Sequence, residues 1–520
     1  MSRSIEEELD QQPGQVSTTT EKPSEVKEDE THLPTGTRLL AIIISILFAM
    51  FLVALDRTII ATAVPRIATQ FNALDDISWY ASAYLLTSCA TQLSWGKVYT
   101  FYSTKTIFLI AILIFEVGSA VCGGAPGSKA FIVGRAIAGI GSAGIFSGAT
   151  VIIAQIVPLA KRPMYVGLMG STFGLSSIIG PLMGGAFTDK VTWRWCFYIN
   201  LPIGGFTMVI LFLFLAVPHK PQPCTWKQQI LRLDPLGSVL FLPSVICFLL
   251  ALQWGGTTYP WSNGRIIALF VISGILIIAF VGVQIWLKKD ATVPPHIFNQ
   301  RSIISGVVFS LCGVRGTSAV KSGIDTIPMV LALVLGAIIS GGIITATGYY
   351  VPWMFVAAIF MSTGAGLMTT FKVDTNHAAW IGYQVLFGLG IGTGMQQPSM
   401  AAQTILPMNE VAIGVSLMFF AQSLGGAVFI AVAQSLFQNY LGANLPHIQG
   451  IDVAKVLATG ATGLSNSVPT TKLAEVLALY NDGLRRSFIV AVAVSCLMII
   501  PALTMEWKSI KKDKPSVAAA

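Results

Sequence analysis

Apolar runs of lipid-spanning length recur along this chain, and they constrain its fold more than any other feature. Leu39 to Ala54, Ile107 to Val121 and Ile266 to Trp286 are representative. At about 1.5 Å of rise per residue, such runs approach or cross a hydrocarbon core roughly 30 Å thick. Inside lipid every backbone N–H and C=O needs an internal partner. The runs are too long and too uniformly apolar for alternating barrel strands, so the fold class is an all-α polytopic membrane protein. Composition agrees: 54% hydrophobic residues, 11% charged and a mean hydropathy of +0.72 are far from the balance of a water-soluble chain.

The pattern predicts thirteen full spans, over 39–61, 78–99, 106–125, 130–157, 164–187, 196–217, 234–254, 265–287, 324–347, 352–371, 378–406, 411–437 and 487–506. A further apolar stretch, 302–314, has only about two-thirds of the length a span needs. Residues 1–38 read as a disordered acidic tail, because nine acidic side chains face three basic ones in the first 36 residues and little apolar surface is available to bury. The expected plan is then a six-helix lobe over 39–217, two linker helices with basic loops over 218–300, a second lobe over 301–507 and a basic tail over 508–520. No cleavable signal peptide is visible, so the first apolar run should act as an uncleaved anchor. The seven cysteines are scattered without metal-ligand spacing and read as small core hydrophobes. Asn-x-Ser/Thr acceptor sites are absent.

Lys97, Lys105, Lys161, Arg162, Lys220, Lys227, Arg232, Lys288, Lys289 and Arg301 all fall in loops on one side. That asymmetry puts this side and the N-terminus in the cytoplasm. Arg485 and Arg486 before the last span, and Lys508 to Lys514 after it, are less decisive. An internal repeat points to two related lobes: Gly139-Ile-Gly141 precedes Pro158 and Gly388-Leu-Gly390 precedes Pro407 with the same 19-residue spacing. The same offset sets Arg135 opposite Gln384.

Charge at membrane depth is costly and marks function by default. Asp56, Glu116 and Arg135 stand out. Asp56 lies about 26 Å along the first helix and Arg135 about 7 Å from the outer end of the fourth, so the two share a depth. A carboxylate and a guanidinium meeting there would offset one another's desolvation, and protonating the carboxylate would release the pair, as proton coupling requires. A static structural pair is the alternative reading, and Arg57 is the rival cation. Glu116 lies near mid-membrane. In the fifth span, Gly167, Gly174, Gly180-Pro181 and Gly184-Gly185 permit close helix approach and a kink.

These residues carry a resemblance. Gly180-Pro-x-x-Gly184-Gly185, with Gly167 and Ser176 ahead of it, resembles the antiporter signature of the major facilitator superfamily. Leu55-Asp56-Arg57-Thr58-Ile59-Ile60 resembles the first-helix motif of its 14-span drug:proton antiporters. Arg135-x-x-x-Gly139-x-Gly141 resembles the fourth-helix motif linked to proton coupling, and Trp193-Arg194-Trp195-x-Phe197-x-Ile199-Asn200-x-Pro202 is similar to a stretch common in that branch. The resemblance covers Leu39 to Trp507 and has the flavour of fungal toxin and multidrug efflux pumps. It implies a two-lobed bundle, a proton gradient in place of any cofactor, and a cell-membrane location. Two departures stand out. Thr100 occupies the place of an expected Asp in the loop after the second helix, and Ala138 stands where Gln is frequent.

The family plan of fourteen spans also makes 302–314 conspicuous. Thirteen spans would put Lys508 to Lys514 outside and invert the second lobe, against the parallel repeat. The short segment is therefore an incomplete span, a strained crossing with Arg315 and Lys321 snorkelling, or the remnant of a half-helix lost through a splicing or gene-model error. The last is the expectation.

For cargo contacts, Gln396-Gln397-Pro398 and Gln422 supply uncharged amides in otherwise apolar helices, suited to a neutral amphipathic molecule, with interhelical hydrogen bonding as the alternative reading. Asp325 reads as a helix cap, and Trp79, Trp95, Trp254 and Trp261 as interfacial anchors. The five histidines show no metal spacing and no phosphate-binding loop of Walker type appears, which argues against an enzyme or an ATP-driven pump. A receptor has no reason to carry the repeat. The expectation is proton-coupled efflux of a fungal metabolite, toxin or drug, with siderophore-iron uptake as the alternative. A small-molecule cargo and the bilayer are the expected partners, with no nucleic acid, and the chain is expected to act as a monomer.

Overall fold

The longest apolar stretches become helices that overrun the predicted spans at both ends of the chain. The computed structural model of the protein describes residues 34–73, 76–216, 229, 232–256, 258–313, 327–372, 375–448, 451, 456 and 468–511. Residues 1–33 of the acidic tail, most of the 218–233 loop, the segment 314–326 with Arg315, Lys321 and Asp325, and the end of the basic tail lie outside these residues, whereas Gly36 to Arg38, read in the sequence as part of the disordered tail, form the first turn of α1. The principal helices are α1 (Gly36–Phe71), α2 (Ile77–Phe101), α3 (Thr104–Gly124), α4 (Ser128–Ile156), α5 (Arg162–Lys190), α6 (Asn200–Phe214), α7 (Pro235–Trp254) and α8 (Gly264–Leu287). They continue with α9 (Arg301–Cys312), α10 (Ile327–Thr347), α11 (Val351–Met368), α12 (His377–Gly394), α13 (Gln397–Ile405), α14 (Val411–Asn444), α15 (Thr470–Leu497) and α16 (Ile499–Thr504).

Among the described residues, eleven helical segments are long and apolar enough to cross a membrane. The stretches expected at 78–99 and 378–406 are helical as well, but α2 is diluted by Ser, Thr, Gln and Lys, and α12 passes into α13 through a turn at Met395–Gln396. Pro398 sits at the start of α13, where its missing N–H costs least. The described part of segment 302–314 lies in the twelve-residue α9 and Gly313 after it. Local caps start several helices: the Asp234 carboxylate accepts from Gly237 N at 2.7 Å ahead of α7, and Asn263 accepts from Arg265 N at 2.9 Å ahead of α8.

The packing repeats itself. The 249-residue offset from Gly139 to Gly388 carries the bounds of α4 onto His377–Ile405, the joint span of α12 and α13, and the start of α5 near the start of α14. Neighbours correspond too. α3 packs on α4 as α11 packs on α12, α2 on α4 as α10 on α12, and α1 on α5 as α9 on α14. The lobes meet along two equivalent seams, α2 with α14 and α5 with α10.

The linker helices α7 and α8 pack on one another. The Asp234 carboxylate ties them at one end by also accepting from Gln284 Nε2 at 2.8 Å and Thr292 Oγ1 at 2.8 Å. α8 turns Ile278 and Trp286, each 73% exposed, outward toward the place of lipid, while α7 reaches the seam between α2 and α14.

A chain of contacts defines the basic end. Arg38 donates to Phe214 O, Lys105 to Phe212 O, Lys97 to Asp290 O, Arg301 to Thr504 O, and Ile510 N to Gly348 O. The start of α1, the start of α9, the end of α10 and the stretch after α16 therefore share one end of the bundle. Lys508 and Lys511 sit with Arg38, so the second lobe is not inverted relative to the first.

Candidate functional site

Glycine and alanine let α4 run tightly between α2 and α3. Side chains at Gly139 and Gly141 would meet the backbone of Tyr84 and of Phe115. That close approach turns Arg135 into the lobe, where it is 1% exposed, and across from it α1 presents Asp56 at 0%. Arg135 Nη1 donates to Asp56 Oδ2 at 2.5 Å, and Arg135 Nε to Tyr80 O at 2.9 Å. The guanidinium lies 4.5 Å from the centroid of the Tyr84 ring. Asp56 Oδ1 meets no donor among the described residues.

Such a pair persists in low dielectric because each charge offsets the other's desolvation. Neutralising Asp56 would remove the charge attraction between α1 and α4 and leave Arg135 its bond to Tyr80 O, the aromatic faces and at most a neutral hydrogen bond to the acid.

Arg57, the next residue, faces the other way. Its Nη2 donates to Ser88 Oγ at 3.3 Å, and its guanidinium lies 5.3 Å from the Tyr84 centroid and 5.0 Å from that of Phe146. Arg57 opens onto a cavity of about 640 Å³ between α2, α7 and α14. Ser78, Ser82, Ser88 and Gln92 of α2 line one wall, Phe419, Gln422, Ser423 and Gln434 of α14 another, and Leu249 and Leu252 of α7 a third.

Toward the basic end the lobes close beneath this cavity. Gln92 Nε2 donates to Ser147 Oγ at 2.6 Å, Ser147 and Ser416 share a hydrogen bond of 3.0 Å, and the Phe146 and Phe419 rings stand 5.7 Å apart. The cavity extends the other way as far as Ser78, Thr258 and Gln438. There Trp261 Nε1 donates to Ser435 Oγ at 3.2 Å and Trp79 meets Trp254 edge-on at 6.0 Å, so the linker connection touches both lobes.

The residues singled out in the sequence divide among several places. Asp56 and Arg135 come together, and Gln422 lines the cavity. Gln396 lies instead by Gly167, Gly170 and Ala337 at the α5–α10 seam, and Gln397 donates to Thr393 O at 2.6 Å within its own helical run. Glu116 is apart from the pair: buried on α3, it packs against Gly204 of α6, and neither oxygen meets a donor among the described residues.

The antiporter-like glycines serve two contacts. Gly167 abuts Ala337 O across the lobes, whereas Gly180 abuts Thr58 and Gly184 abuts Thr62 and Ile59 of α1. Thr58 Oγ1 also donates to Ser176 O at 2.9 Å, so this motif locks onto the turn that carries Asp56. Pro181 lies within α5, and a side chain at Gly185 would meet nothing within 4 Å.

Of the cavity walls, sequence reasoning found Gln422 and missed its neighbours. Gly426, Ile430, Gln434 and Gln438 follow Gln422 at every fourth position on α14, and Ser78, Ser82, Leu85, Cys89 and Gln92 recur every third or fourth on α2. That spacing is a legible stripe.

The Major Facilitator Superfamily sequence model matches residues 46–430. The chain belongs to the major facilitator superfamily. Its membership makes it a membrane transporter rather than an enzyme. It is 55% identical over 500 residues to the rubrofusarin-specific efflux pump aurT of Gibberella zeae, covering 93% of this chain and 92% of that one. It is 49% identical over 512 residues to the efflux pump aflT of Aspergillus parasiticus, covering 94% and 99%. In fold it is similar to the human organic anion transporter MFSD10, with a TM-score of 0.55 at 13% identity over 91% of this chain and 100% of that one.

Proposed function

We propose that this chain exports small hydrophobic or amphipathic molecules, of the kind fungi make as secondary metabolites or meet as drugs, across the plasma membrane in exchange for protons. The single observation that carries the coupling is the fully buried Asp56–Arg135 pair, whose carboxylate keeps one oxygen without a donor among the described residues. The relatives named as efflux pumps support the outward direction. The chain acts as a monomer in the bilayer with the basic end and N-terminus in the cytoplasm, so the cavity described above is the outward-facing stage of the cycle.

The cycle follows from the charges. In the outward-facing stage a proton reaches Asp56, the α1–α4 pair loosens, and α1 moves with the α5 segment clamped to it through Thr58 and Gly180. The lobes then rock about their two seams, cargo loads from the cytoplasmic side, and loss of the proton inward restores the pair. The test uses yeast cells expressing the protein and the neutral dye Nile red. Expression lowers dye accumulation and a protonophore restores it; higher accumulation under an inward proton gradient would reverse the assigned direction.

A further inference from the structure

The cavity has a charge that the exchange reaction does not use. Among the described residues lining it, Arg57 alone is charged, and no carboxylate faces it. The neighbouring Asp56 is taken by Arg135 at 2.5 Å, so it does not neutralise Arg57. The Arg57 guanidinium is positioned by ring faces, 5.0 Å from the Phe146 centroid and 5.3 Å from that of Tyr84, and by one hydroxyl, Ser88 Oγ at 3.3 Å. Its Nε meets no acceptor among the described residues. A planar fork held this way keeps donors for a ligand and is suited to a carboxylate or an acidic phenol. Beside it, Phe146 and Phe419 offer aromatic faces, and Gln92 and Gln422 offer amides that can meet ring oxygens.

We propose that Arg57 is a specificity residue which selects cargo bearing an acidic phenol or carboxyl on an aromatic framework and disfavours lipophilic cations. The inference rests on the transport reading above and narrows its cargo class. A cation in this cavity would face Arg57 with no compensating acid, whereas an anion gains a charge-assisted hydrogen bond in a partly desolvated site.

Equilibrium binding to the purified full chain separates this inference from direction and coupling, because it needs neither a gradient nor transport. The probes are 3-hydroxy-2-naphthoate, its methyl ester and ethidium, read by quenching of tryptophan fluorescence. The wild type binds the hydroxynaphthoate at least tenfold more tightly than either other probe. Arg57→Gln loses at least tenfold in hydroxynaphthoate affinity and leaves the ester within about twofold, and Arg57→Lys recovers most of the loss. Equal wild-type affinity for the acid and its ester, or tighter binding of ethidium, overturns the proposal without any variant. An equal loss for acid and ester in a well-folded Arg57→Gln overturns it too. Binding of this pattern without export contradicts the efflux reading alone.

Discussion

At the residue scale, Asp56 and Arg135 are two buried charges that only one another make tolerable. Asp56 and Arg135 were legible in the sequence because charge in a lipid-length run has few explanations, and a rise per residue places both at one depth. Arg57 was legible only as a rival, since nothing in a sequence says which of two adjacent side chains turns inward. Removing one partner of a buried pair leaves an uncompensated charge, an effect of about 3–5 kcal/mol. Asp56→Asn and Arg135→Ala are each expected to lower the melting temperature of the detergent-purified protein by several degrees. The double variant Asp56→Asn/Arg135→Gln recovers part of that loss. Strict additivity in this cycle would show the two groups to be uncoupled. Arg135→Lys keeps the charge but loses the planar fork that spans Asp56 and Tyr80 O, so its efflux of Nile red falls at least fivefold.

At the element scale, apolar length located most helices to within a few residues, yet the faces stayed hidden. Gln396, Gln397 and Gln422 read alike in a sequence, and only packing sends the first to the α5–α10 seam and the last to the cavity. The sequence placed α7 only as one of two linker helices between the lobes; in the structure it walls the cavity, because helix pairing depends on partners far apart in the chain. The glycines of α5 likewise looked equivalent and are not. Gly180→Ala and Gly184→Ala drive a methyl into Thr58 and Thr62 of α1 and cut transport at least tenfold, measured as dye efflux at matched surface expression. Gly185→Ala meets open space and gains helix propensity, so efflux stays within about twofold of wild type. Equal losses at all three positions would mean that the motif acts through backbone flexibility and not through the α1 contact.

At the scale of the whole molecule, the repeat seen in two Gly-x-Gly motifs extends to the packing of α2–α5 and α10–α14, and it fixes the direction of the second lobe. Arg38, near the start of α1, and Lys511, after α16, both lie at the basic end, so tags placed before Gly36 and after Lys511 are both expected to resist external protease on intact cells. The short α9 was visible as a deficit in length, but whether a half-helix is missing concerns the gene. Sequencing the transcript across the codons for Cys312 to Ser318 decides it, an uninterrupted match in an active transporter refuting the loss. The central claim, exchange of cargo for protons through Asp56, is tested most directly in reconstituted vesicles carrying an imposed pH gradient and a pH-sensitive dye. For the wild type, adding cargo on the side that the gradient drives it from discharges the gradient, and Asp56→Asn abolishes that discharge while cargo still binds. Cargo-driven proton movement that persists at the wild-type rate in Asp56→Asn would contradict the account.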